Sequence, residues 1–214
     1  MNKSMVRLLM VVMASWSVAA WGETTESEAP QPGGFMVGAA LGFDSGNFAD
    51  ELEDELAFYG NGYDVDEDGA DIGTDLYLGY VFGGASSFRL GYRKFGEQSG
   101  NVTLNGVKTG DYSVEADGLY LAVDLMLPLN DAIFVGGTLG LQNWDGEVTA
   151  RNALFSASDS ADGRDFFYGL RGKVLVNQGK GAVVAGYSLY SFEDEYGDEL
   201  EYNSFSIGFE GYFR

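Results

Sequence analysis

The chain has no cysteine, no histidine and only 3 prolines among its 214 residues. Without cysteine there is neither a disulfide framework nor a cysteine-borne lipid anchor, so an exported chain of this kind is held by hydrogen bonding and packing alone. Without histidine the usual general base of hydrolases and acyltransferases is missing. Ser–Lys or paired-carboxylate chemistry would remain, but Lys173 has no serine at a telling position, and no catalytic role is expected. Basic residues are scarce as well. Against 33 acidic residues stand 12 basic ones, for a net charge of -21, and so negative a surface repels nucleic acid.

Long apolar runs are also lacking, with one exception near the N-terminus. Residues 8–18 form an apolar run interrupted only by Ser15 and Ser17, follow Lys3 and Arg7, and precede Ala19, Ala20 and Gly22. The run is shorter than the roughly 20 residues of a membrane-spanning helix and has the layout of a secretory signal, so residues 1–22 are read as a signal peptide. Cleavage after Gly22 is preferred and cleavage after Ala20 is the alternative. Residues 23–34 (ETTESEAPQPGG) have almost no apolar content and are expected to form a flexible periplasmic leader. Because no later run could span a bilayer as a helix, a mature chain that enters a membrane must do so as a barrel.

What the chain has in quantity is glycine, 32 residues of it, and a two-residue alternation. Eight segments, roughly 35–44, 72–83, 86–97, 111–127, 131–144, 164–177, 181–192 and 200–213, read as strands with one apolar and one small or polar face. In the fourth, Leu119, Leu121, Val123, Leu125 and Leu127 alternate with Gly118, Tyr120, Ala122, Asp124 and Met126, a pattern that a helix would scramble. The connections after the second, fourth and sixth segments are tight, and the others are longer and more polar. That rhythm, with an even strand count, predicts an eight-stranded antiparallel up-and-down transmembrane β-barrel over residues 35–214, short turns and both mature termini on the periplasmic side.

Four stretches carry a resemblance to a known group: FRLGYRKFG at 88–96, DGLYLAVDLMLPLND at 117–131, GTLGLQNWD at 137–145 and the final SFSIGFEGYFR. The chain resembles the eight-stranded outer-membrane barrels of the OmpA transmembrane-domain and opacity-type surface-antigen families. The resemblance implies residence in outer-membrane lipid, a monomer, and delivery by the barrel-insertion machinery, which reads an aromatic residue at the end of the last strand. Here Phe213 is followed by Arg214, placing that signal one residue early. No peptidoglycan-binding domain is expected, since the resemblance to OmpA stops at the barrel.

The polar face carries Asp75, Arg89, Arg93, Glu97, Asp124, Arg171, Lys173, Glu210 and Arg214. If the apolar face meets lipid, these point into a lumen that eight strands make just wide enough for side chains to fill. Isolated charges there are costly, so Arg89, Arg93, Arg171 and Lys173 are expected to pair with Asp75, Asp124 and Glu210. A charged constriction that gates ions is the alternative. In the first long connection, Asp64, Asp66 and Asp68 followed by Gly69 match the start of a calcium loop, but the twelfth position is Asp75 instead of a bidentate glutamate. A merely solvated acidic loop is preferred, and weak calcium binding is the most that is expected of any cofactor. Just before it, Phe48, Leu52, Leu56 and Tyr59 recur at near-helical spacing, which fits a short helix on the barrel rim or a loop with incidental apolar residues.

Three functions fit these features. The first is a structural or surface-interaction barrel acting through acidic extracellular loops. The second is a narrow ion or small-solute pore. The third is a soluble periplasmic calycin-like barrel with the alternation turned inside out, which clustering of aromatics near strand ends opposes.

Overall fold

A computed structural model describes residues 33–59, 62–67, 71–83, 85–152, 154, 156–193 and 199–213. The signal peptide and nearly all of the leader lie outside these residues, as do Asp68 and Arg214. Ten antiparallel strands form one sheet: β1 (Gly34–Gly46), β2 (Tyr63–Glu67), β3 (Asp71–Phe82), β4 (Ser86–Lys94), β5 (Gln98–Leu104), β6 (Val107–Pro128), β7 (Ile133–Arg151), β8 (Ser156–Val176), β9 (Gly181–Glu193) and β10 (Glu199–Phe213). Helix α1 (Phe48–Tyr59) lies between β1 and β2.

The ten strands make eight staves. β4 and β5 pair with successive parts of β6, and β3 and β2 pair with β4 and β5, so each of these couples follows one path up the wall. The ring runs β1, β3, β4, β6, β7, β8, β9, β10 and closes where β10 pairs with β1 from Phe35↔Phe213 to Gly46↔Tyr202. Closure leaves no edge within the ring, which a sheet in hydrocarbon requires.

The apolar face points outward. Leu121 is 62% exposed and Ala122, its neighbour, 4%. Leu76, Leu78, Leu90, Leu119, Phe166, Leu170, Ile207 and Phe209 share the outward face, whereas Asp75, Arg89, Asp124, Lys173 and Glu210 are buried inside. The inverted arrangement of a soluble ligand-binding barrel is not the one adopted.

The structure corrects the expected segments in three places. The third expected strand, 86–97, ends at Lys94, and beyond Phe95–Gly96–Glu97 the chain resumes as β5. In β4 the odd-numbered residues face inward, and after the break the even-numbered Gln98 and Gly100 do. The extra residue reverses the side-chain alternation, as a bulge does, and turns Glu97 outward, away from the lumen where the uninterrupted alternation had placed it. Second, the long polar connection expected between residues 97 and 111 is instead β5 and the start of β6, joined by a tight hairpin whose central Asn105 (φ 52°) and Gly106 (φ 77°) both adopt the left-handed conformation of the Asn-Gly turn. Third, β7 and β8 run past their expected limits into a long hairpin pairing as far as Arg151↔Ser156. With 22, 19 and 21 residues, β6, β7 and β8 far exceed the roughly 9–11 that cross a bilayer; β6 is continued by its pairing with β5, and the upper parts of β7 and β8 stand clear of the ring.

Where sequence left helix and loop open at residues 48–59, the structure forms a helix. Phe48, Leu52 and Leu56 are partly buried, and the ring of Phe48 lies 5.4 Å from that of Tyr112, so the apolar stripe holds α1 over the long-connection end.

Candidate functional site

The inward residues fill the lumen in layers. Nearest the short turns sit Ala85, Met126 and Phe134, with Leu175 packed against them. Next comes an ionic layer. Asp124 accepts from Arg89 through both oxygens (Nε 2.9 Å, Nη2 3.0 Å), from Ser87 Oγ at 2.8 Å and from Thr138 Oγ1 at 2.7 Å. Arg171 Nε at 3.6 Å and Lys173 Nζ at 3.9 Å also face it. Glu210 pairs with Arg171 Nη2 at 2.9 Å and Lys173 Nζ at 3.2 Å, and accepts from the hydroxyls of Tyr77 and Tyr212. Asp75 accepts from Tyr120 and lies 4.0 Å from Arg89 Nη1. In this buried setting carboxylates need donors, and alternation along the strands points several at Asp124 and at Glu210.

Arg93 belongs to a separate centre. Its Nη2 lies 2.6 Å from Asp44 Oδ1 and 2.5 Å from Ser204 Oγ, and its guanidinium sits 4.7 Å from the ring centre of Phe95 and 5.0 Å from that of Tyr190. The second oxygen of Asp44 accepts the backbone N–H of Gly96 at 2.9 Å. One carboxylate therefore neutralises Arg93 and satisfies an amide freed by the bulge. Above it, Phe95, Trp144, Phe167, Tyr190, Phe192 and Tyr202 form a buried aromatic cluster.

Of the nine charges that the alternation places on the inward face, Glu97 turns outward, Arg214 lies outside the described residues, and the structure brings the seven expected to pair, Asp75, Arg89, Arg93, Asp124, Arg171, Lys173 and Glu210, together in these two centres. Sequence reasoning missed Asp44. The seven comprised four cations and three anions, so one cation had no counter-charge, and Asp44 completes the balance. The signal was available: Met36, Gly38, Ala40, Gly42 and Asp44 share one parity on β1.

The acidic connection is arranged differently. Asp64 and Asp66 lie on β2, opposite Thr103 and Asn101 of β5. An extended strand holds alternate side chains about 6.5–7 Å apart instead of converging them as a turn does. No cluster of three acidic side chains able to hold a metal occurs among the described residues. Burial first, then the charges of Asp50 and Asp71, raise the Glu67 carboxyl above its ordinary value. The folded chain thus keeps this proton where the unfolded chain has lost it, and stability falls as pH rises through that window. Glu67→Gln is expected to slow amide hydrogen exchange in β2 at neutral pH, with the difference vanishing at pH about 4. Equal exchange in both proteins at neutral pH would show that Glu67 does not strain this corner.

A closed antiparallel ring with a lipid-compatible exterior and ion-paired interior defines a transmembrane β-barrel of the outer-membrane type. The chain belongs to the outer membrane protein beta-barrel domain family, whose model matches residues 7–213. Comparison with curated proteins gives no match. Among solved structures, the chain is similar to the attachment invasion locus protein Ail of Yersinia pestis, solved with the heparin analogue sucrose octasulfate (14% identity, 85% of this chain and 99% of that one, TM-score 0.51). It is also similar to a major outer membrane protein of Thermus thermophilus (13% identity, 85% and 99%, TM-score 0.50). At such identities the likeness is one of fold.

Proposed function

We propose that this is a small, non-catalytic outer-membrane barrel with a structural or surface-interaction role, performed by acidic structure on the extracellular side, and that its lumen does not conduct. The observation that carries the reading is the contrast between a lumen filled by ion pairs and aromatics and a sheet that stands beyond the ring. In this reading the short turns and both mature termini are periplasmic, the signal peptide directs export, the insertion machinery places the barrel, and it remains a monomer.

The projecting sheet is built for contact. Asp117, Asp145 and Asp162 lie opposite one another on β6, β7 and β8, and Glu147 and Asp159 are exposed nearby. Like charges side by side repel, and a cationic partner relieves the repulsion. The ladder with β9 begins at Phe167↔Tyr190, so residues 156–164 lie beyond it and, among the described residues, pair with β7 alone.

Two measurements test the reading together. A Ser158→Cys variant on intact cells is expected to react with a membrane-impermeant maleimide, and the purified barrel is expected to give no sustained single-channel current in planar bilayers. Stable currents whose ion selectivity changes with Arg93→Ala would replace the reading by the pore. An unreactive Ser158→Cys that becomes reactive only in broken cells would reverse the assigned sides. For calcium, calorimetry is expected to give a weak, salt-suppressed response that Asp66→Asn and Asp50→Asn reduce alike. A saturable signal lost only with Asp66→Asn would establish a specific site.

A further inference from the structure

The projecting sheet ends on one side at residues 156–164 of β8, which pair with β7 in a single register running from Ile133↔Val174 to Arg151↔Ser156 and, among the described residues, with no other strand. The N–H and C=O groups of every second residue along this stretch therefore point away from the sheet. Edge strands are ordinarily blunted by lysine, proline, a bulge or a covering element. Residues 156–164 contain neither lysine nor proline, their register carries no bulge, and their exposed side chains are mostly those of serine and alanine. The far side of the same sheet is treated differently: α1 lies against β2, and a register shift between Val102 and Thr103 interrupts the pairing of β5 with β6.

We infer that this edge binds an extended, basic segment of another polypeptide as an added strand. The main chain supplies the affinity, and the charges supply the choice of partner. On the outer face Asp117, Asp145 and Asp162 form one rung across β6, β7 and β8. At the β4 end that rung meets Lys94, which pairs with Glu115 at 3.0 Å. At the β8 end it stops at the open edge. Arg164, next on that face of β8, is turned to Asn143 of β7 at 3.4 Å. Residues directly opposite on neighbouring strands hold their Cβ atoms about 4.5–5.5 Å apart, so a lysine or arginine of an added strand opposite Asp162 completes the row with the charge it lacks. Asp159 is exposed on the other face of the same edge and favours a basic residue opposite it for the same reason. An acidic segment meets like charges at both places and is rejected.

Access of a partner to the edge rests on the proposed surface role and its extracellular side, whereas the pairing itself does not. The test adds a peptide that alternates threonine and lysine, as long as the edge, to the isotope-labelled full barrel in lipid nanodiscs and reads amide hydrogen exchange by NMR. Slowed exchange is expected at alternate residues of 156–164, with half-saturation at a peptide concentration about tenfold lower than for a matched threonine–glutamate peptide. Asp162→Asn is expected to raise that concentration about threefold, and Asp131→Asn, at a short turn, to leave it unchanged. Failure of the lysine peptide to slow these amides, whether or not it shifts the acidic side chains, would overturn strand addition. An equal response to the two peptides would overturn the basic partner. Alternate amides that are already slow without peptide, and are freed on dilution, would give the edge to a second copy of the chain and overturn the basic partner as well. Heat-dependent gel mobility shows that each variant is folded, and the maleimide result at Ser158→Cys shows separately whether the sides were misassigned.

Discussion

Arginine in place of Leu121 is expected to cost about 2–4 kcal/mol of insertion stability, the range for a cation on the lipid face near the bilayer midplane. Leu121 is exposed on the outward face of β6 between Leu90 of β4 and Leu141 of β7, so an arginine there has no inward partner and no short path to water. Ala122→Ser faces the lumen and is expected to be mild. Urea titration of barrels folded into lipid vesicles, followed by the heat-dependent mobility shift, reads both. Equal tolerance at the two positions would contradict the orientation of the wall.

The second large effect is expected at Asp124. It is fully buried and faces Arg89, Arg171 and Lys173, so Asp124→Asn leaves three cations with Asp75 and Glu210 as their remaining carboxylates in that layer. Removing one member of a buried ionic cluster typically destabilises by about 3–5 kcal/mol, because the partners stay buried without compensation. Asp117→Asn, an acid on the outer face bonded to Tyr92, is expected to change stability by less than about 1 kcal/mol. The same urea titration separates them. A loss at Asp124 no greater than at Asp117 would mean that water or rearrangement neutralises the lumen.

Most of the ring is legible in the sequence because lipid and lumen impose opposite chemistry on alternate residues. Leu119 to Leu127 against Gly118 to Met126 is enough to orient β6. The reversal at Phe95–Glu97 is not legible by the same rule, since one added residue leaves composition unchanged while inverting every later side chain. The extensions of β7 and β8 escape for another reason. Around SASDSADGR both faces meet water, no alternation is required, and an extended strand reads as loop. Asp44 was hidden by its neighbours: it begins a run of acids on the sequence but ends an inward row on β1.

The seam between β1 and β10 bears on the order of folding events. Every other strand pairing in the ring joins strands near in sequence, and such hairpins lose little chain entropy in closing. Bringing β10 to β1 closes a loop of nearly the whole chain. Some bonds wait for that step: Tyr77 on β3 meets Glu210 on β10, Arg93 on β4 meets Ser204 on β10, and Lys173 on β8 meets Ser87 on β4. Before closure these polar groups face an open trough that must stay wet, and after it they are dry and paired. Closure therefore buries these groups and supplies their cross-lumen partners in one step, so a barrel left open is the state least able to persist in lipid.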